Sequence, residues 1–401
     1  MARMTGLLLC ALATAALAAP RDLVAQRLKL SKSLSELEAA VRTDSTDPAA
    51  QYNVAMGYWS AKRYDDAEKA LRRSLSVEPR LAPARLALAF LPYARRSKLW
   101  GEVVREEVPK DQIAVLEQSD REYRHAFLID PLVDLRILGA VGPNSPDFID
   151  VRDYWGEVWA LFFQGFADCQ EGKYEDCHGR FVTLIREIDG DRFPQRIPWS
   201  VLWYKGIAAA HTQKPDIAAD HFRELIKRSI ETEKEREQKG ELARVPMWTN
   251  EYRYTLATIL QTAGKTVEAV QLFEEVLNND IGFYMAHVRL ANIYEGQKDY
   301  ARAARARQSA VDANPDDPSL LMDLGVTLGK AGDFAGAESR LQQAYETNPR
   351  DVRPLFWLGI ARAQQGKSKE AREAFESFVR LAPSRFERQI TMAKDRLAQL
   401  Q

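Results

Sequence analysis

Three cysteines in 401 residues are too few for a disulfide framework, and without a Cys-x-x-Cys-His run covalent haem attachment is excluded. Excess charge of one sign is missing as well. Against 57 Asp and Glu stand 56 Lys and Arg, with no basic stripe, which argues against a nucleic-acid binder. Beyond the N-terminus no apolar run reaches the roughly 18 residues that a membrane span requires, so no integral span is expected. Gly-x-Ser-x-Gly, Gly-x4-Gly-Lys-Ser/Thr and His-Glu-x-x-His are all absent, so no nucleophile elbow, phosphate loop or zinc motif suggests an enzyme, and no cofactor or metal is expected. What the chain does have is core material. At 46% hydrophobic and 9% aromatic it is no disordered tail.

The first residues carry Arg3, an apolar run from Leu7 to Leu17, and the small residues Ala16 and Ala18 before Pro20. This pattern predicts a secretory signal peptide over 1–18, and with it an exported chain, periplasmic or secreted, most simply in a bacterial envelope. Leu7-Leu8-Leu9-Cys10 has the shape of a lipoprotein box, but a cut there leaves only about four apolar residues as a targeting core. Export removes Cys10 and leaves Cys169 and Cys177. They flank the turn-like Glu171-Gly172-Lys173-Tyr174 and so face each other across a helical hairpin. In an oxidising compartment they can bridge, contributing roughly 2.5 kcal/mol for a loop of about nine residues. They can equally be two small buried residues where helices approach closely.

The strongest signal is a 34-residue period over 250–385. Four units follow without a gap, from Asn250, Tyr284, Pro318 and Val352. Their seventh place holds Leu256, Leu290, Leu324 and Leu358; the eighth, Ala257, Ala291, Gly325 and Gly359; the twentieth, Ala269, Ala303, Ala337 and Ala371. Place 24 holds Phe273, Arg307, Leu341 and Phe375, and place 32 Ile281, Pro315, Pro349 and Pro383. Each unit reads as two amphipathic helices whose axes approach at the small residues while the large apolar ones fill what remains. Gly264, Gly332 and Gly366 end the first helix, and the prolines stop the second. Arg307 is expected to lay its stem along apolar surface.

This pattern resembles the tetratricopeptide repeat (TPR) family. The resemblance implies an all-α, right-handed superhelix, an α-α solenoid with an irregular, inserted middle and a C-terminal capping helix, that acts as a non-enzymatic scaffold for protein partners. Looser units fit the same template elsewhere. From Pro48 come Val54, Ala55, Tyr58, Ala67, Leu71, Ser74 and Pro79; from Ala82 come Leu88, Ala89 and Pro92, then, past an insertion near 92–112, Ser119, Tyr123, Ala126 and Pro131. Leu161, Gly165, Gly172, Cys177 and Phe181 suggest another unit, and Leu202, Gly206, Ala218 and Phe222 one more. The chain therefore divides into a capping helix within 19–47, two units over 48–131, an irregular helical middle over 132–249, the four regular units over 250–385, and a second cap over 386–401 with Phe386, Ile390 and Leu397 on one face.

In the family, places 2, 5, 9 and 12 of the first helices line a concave groove. The spacings 3, 4 and 3 do put them on one helical face. Here place 5 gives Tyr254, Val288, Met322 and Phe356, and place 9 gives Asn292, Val326 and Ile360 after Thr258. So apolar a stripe predicts capture of an apolar or amphipathic protein segment, unless tight curvature makes these side chains pack on one another. The alternatives lie in the middle. Tyr154, Trp155, Trp159, Phe162, Phe163 and Phe166 could form a glycan platform with Trp100, or simply a core; Asp147, Asp150 and Glu157 could serve an envelope enzyme. His211 and His221, equidistant from Asp216, make at most half a zinc site.

Overall fold

A computed structural model describes residues 32–96, 108–134, 137, 161–162, 164–193, 195, 197–240 and 248–400. The expected signal peptide lies outside them, as do most of the 92–112 insertion, Trp100, Asp147, Asp150, Tyr154, Trp155, Glu157, Trp159 and Phe163. Among the described residues every regular element is helical. This is the all-α solenoid class that the repeat pattern predicts. The described residues form two compact units, one from 1–84 with 287–401 and one from 85–286.

The first unit begins with α1 (Leu34–Thr43), closed by a capping box between Ser33 and Glu36. The hairpin α2 (Pro48–Ser60) and α3 (Tyr64–Val77) follows. Its later part holds α11 (Tyr284–Gly296), α12 (Tyr300–Ala313), α13 (Pro318–Ala331), α14 (Phe334–Thr347), α15 (Arg353–Gln364), α16 (Ser368–Leu381) and the cap α17 (Glu387–Gln399). Asp47 and Asp317 start α2 and α13 the same way, each accepting from the second backbone N–H past it, with Pro at the first helical position. The second unit carries α4 (Ala82–Arg95), α5 (Ile113–Ile129), helical residues 164–170, α6 (Tyr174–Glu187), α7 (Trp199–His211), α8 (Pro215–Gln238), α9 (Thr249–Thr262) and α10 (Thr266–Asn279). Helix α4 runs through Pro92 to Arg95, although a proline interrupts the helical ladder there.

Two positions set the hairpin geometry. At place 8 a Cβ added to Gly359 would come within 2.7 Å of the Phe375 ring, and one added to Gly206 within 2.6 Å of Phe222, so these glycines let an aromatic ring from place 24 lie against the facing helix. At place 15 the chain turns through positive φ in seven hairpins: Lys62, Gly172, Gln213, Gly264, Lys298, Gly332 and Gly366. Only four are glycine. The turn is therefore imposed by the packing of the two helices, and Lys or Gln adopts a backbone that disfavours any side chain.

Candidate partner-binding surfaces

The seven expected groove residues separate into three groups. Tyr254, Val288, Met322 and Phe356 are buried, at 1%, 4%, 9% and 1% exposure; Val326 and Ile360 are half-buried; Asn292 is exposed. The place-5 stripe is thus core and not a bare surface. Phe356 shows why, since its ring packs within 5.4 Å of Phe378 and 6.1 Å of Phe375. Val326 and Ile360 border a small apolar cavity of about 20 Å³ between α13 and α15, room for about one water. A partner resting on this face meets Asn292, Val326 and Ile360.

Beside that stripe the first helices, with Arg307 of α12, carry an ionic network that the apolar pattern does not announce. Arg307 is its hub. It is 7% exposed, donates to Asn292 Oδ1 at 2.6 Å, and lies 3.4 Å from Asp323 and 3.5 Å from Glu295. Lys330 holds the other Glu295 oxygen at 2.6 Å. The chain's own N-terminal repeat completes the set: Arg80 reaches Asp323 at 2.8 Å and Asp317 at 3.8 Å, while Arg353 reaches Glu78 at 3.1 Å. Asn348 donates to the Ser76 carbonyl at 2.8 Å, and Arg385 pairs with Asp44. Burial pushes the Asp323 carboxyl up, but Arg80 and Arg307 outweigh it and hold the group below the usual carboxylate range. Residues 76–80 therefore already occupy part of the first-helix face.

The second unit offers an open cleft instead. About 570 Å³ in volume, it lies between α8 and α10 with α9 as its floor. Leu256 and Leu260 form the bottom, and the half-buried Ile226, Ile230 and Leu272 line the walls. Along α8, Arg223, Ile226, Lys227, Ile230 and Lys234 recur at three- and four-residue spacing; along α10, Glu268, Gln271, Leu272 and Glu275 do the same. One rail is mainly basic and the other acidic. Arg223 and Glu268 meet across one end at 3.4 Å. Sequence reading missed this cleft because it sits between second helices, whereas the repeat template directs attention to the first.

The remaining candidates resolve individually. Cys169 and Cys177, both fully buried, are joined in a disulfide with Cα atoms 5.2 Å apart. Phe166 packs on Tyr204 at 4.6 Å and Phe162 on Phe181 at 6.4 Å, and both rings are half-buried. Of the two histidines flanking Asp216, His211 stacks on Tyr174 at 4.3 Å, and His221 lies within electrostatic reach of Lys205 and His178. Among the described residues no group of three or more His, Cys, Asp or Glu side chains is placed to hold a metal ion, and no helix is long and apolar enough to cross a membrane.

Comparison with known proteins identifies the repeats. Residues 254–318 and 322–385 match one tetratricopeptide-repeat family profile and 48–81 match a second. The chain thus carries TPR repeats, modules that bind protein partners. No curated protein matches it significantly. Among solved structures it is similar to residues 41 to the end of MamA from Desulfovibrio magneticus RS-1, with 20% identity over 46% of this chain and 96% of the other at a TM-score of 0.37. It is also similar to the C-terminal part of a TPR repeat-containing protein from Cytophaga hutchinsonii, with 14% identity over 61% and 87% of the chains at a TM-score of 0.49.

Proposed function

We propose that this protein is an exported, non-enzymatic TPR scaffold that captures an amphipathic helical segment of a protein partner in the cleft between α8 and α10. The observation that carries the reading is the pairing of an apolar floor with oppositely charged rails. A helix laid in the cleft buries an apolar stripe on Leu256, Leu260, Ile230 and Leu272, sets acidic residues toward Lys227 and Lys234, and sets basic ones toward Glu268 and Glu275. Asn292, Val326 and Ile360 form a second contact surface, because they are the members of the expected groove that reach beyond the core. Export is supported by the signal-like N-terminus and by the Cys169–Cys177 bridge, which suits an oxidising compartment such as a bacterial periplasm.

The test is affinity capture from envelope extract with the chain lacking residues 1–18, in parallel with an Ile230→Glu variant. Ile230 is half-buried on the cleft wall, so its replacement charges the cleft without opening the core. The expected result is a partner retained by the unmodified chain and lost with Ile230→Glu at unchanged helical content. Equal retention by both would remove the cleft as the binding surface.

A further inference from the structure

In the hairpin of α7 and α8, Gly206 occupies place 8, as its contact with Phe222 and the positive φ of Gln213 seven residues later both show. Lys205 then stands at place 7, where the four regular units have Leu256, Leu290, Leu324 and Leu358. A lysine thus fills a leucine's position. The residue is 8% exposed; among the described residues its ammonium makes no hydrogen bond or ion pair, and its Nζ keeps contact with solvent. Helices α6 and α8 pack on either side of α7 and bring His178 and His221 into electrostatic contact with it. A Cβ placed on Gly206 would lie 3.5 Å from the Cβ of His221. His178 Nδ1 and His221 Nε2 are themselves buried without a hydrogen-bond partner.

Lys205 and the two rings, on three successive helices, thus act on one another electrostatically, and no hydrogen bond joins them. The neighbouring carboxylates do not serve. Glu175 on α6 is taken by Lys214 at 2.7 Å, Asp220 on α8 by Arg223 at 2.9 Å, and Asp191, in the segment before α7, acts on Lys205 only through space. Two buried, unsatisfied ring nitrogens beside a cation cost free energy unless something brings oxygen atoms to them. A metal ion fits poorly, since the ammonium repels it and two imidazoles do not complete a coordination shell.

We propose that Lys205, His178 and His221 form a binding site for a small oxyanion, a carboxylate or phosphate, held by the ammonium and by the two imidazoles as N–H donors. Burial, Lys205 and His178 lower the pKa of His221 to about 4, and burial with Lys205 and Lys214 lowers that of His178 against the pull of Glu175. A bound anion offsets the repulsion, so binding takes up a proton. Affinity accordingly rises as pH falls below neutrality, approaching tenfold per pH unit for each proton taken up.

The experiment is a titration of the full chain with inorganic phosphate, and separately with acetate, following the imidazole ¹⁵N signals of its five histidines. Saturable shifts confined to His178 and His221, with the apparent pKa of His221 raised by at least about one unit, are expected from one anion or both; which of them saturates at lower concentration identifies the source. Lys205→Leu restores the residue found at place 7 elsewhere and should fold, melt higher and show no shift, whereas Lys205→Arg should keep it. The proposal is overturned if neither anion gives a saturable shift, if Lys205→Leu retains it, or if ZnCl₂ alone produces it.

Discussion

Replacing Arg80 by methionine removes the cation that ties the N-terminal repeat to the later repeats of its unit while keeping an unbranched apolar stem. Arg80 is 16% exposed and lies 2.8 Å from Asp323 and 3.8 Å from Asp317. Removing one partner of a buried pair costs about 3–5 kcal/mol, mostly because the other charge is left unpaired. Asp323 keeps Arg307 at 3.4 Å, so the loss belongs at the lower end, about 3 kcal/mol. Asp323→Asn in the same chain relieves the stranded charge, and the double-mutant cycle should return a coupling of at least about 1 kcal/mol. The assay is urea unfolding by circular dichroism, with hydrogen exchange over residues 64–81 as a local readout. The pH dependence has a fixed sign. Because Asp323 titrates lower in the folded chain than in the unfolded one, its contribution is complete above about pH 4 and is lost as pH falls through the folded value. In Arg80→Met that acid sensitivity shrinks. Coupling below about 0.5 kcal/mol with unchanged exchange over 64–81 would refute the reasoning, for the ends of the unit would then be held by something else.

The hairpin geometry supplies further expectations. Gly359→Ala drives a methyl into the Phe375 ring and should lower stability by about 1–3 kcal/mol in the same urea assay. Lys298→Gly relieves a positive φ of 61° and should raise it by about 1 kcal/mol; an unchanged or lower midpoint would mean that this turn carries no strain. Reduction of the Cys169–Cys177 bridge, eight residues apart in sequence, should cost roughly 2.5 kcal/mol on the loop-entropy account, read as a lower melting temperature in reductant that Cys169→Ser reproduces.

The helical hairpins were legible in the sequence because each depends on residues at most 34 apart. Small residues at place 8 and bulky ones at place 24 mark a close approach that the structure shows at Gly359 and Phe375. Two kinds of feature were not legible. Lys62, Gln213 and Lys298 take the same turn as the glycines, but nothing in their identity announces a positive φ that packing imposes. The Arg80–Asp323 contact spans 243 residues, beyond the reach of any local pattern. The place-5 residues were read as lining a groove because periodicity reports which residues share a face; Tyr254 and Phe356 share it, yet packing buries both. Lys205 lies between these cases. Once Gly206 is placed in the repeat, a lysine at a leucine position stands out from the sequence alone, but the two histidines beside it come from neighbouring helices.

Photo-crosslinking with a benzophenone amino acid placed singly at Lys227, at Gln271 and at Ile360 tests the partner-capture reading most directly. The first two positions border the cleft of the second unit and the third lies on the first-helix face of the other. The scaffold account predicts the same partner crosslinked from Lys227 and Gln271, and loss of both products when Ile230→Glu is added. Crosslinks from Ile360 alone, or products from Lys227 and Gln271 that survive Ile230→Glu, would contradict it.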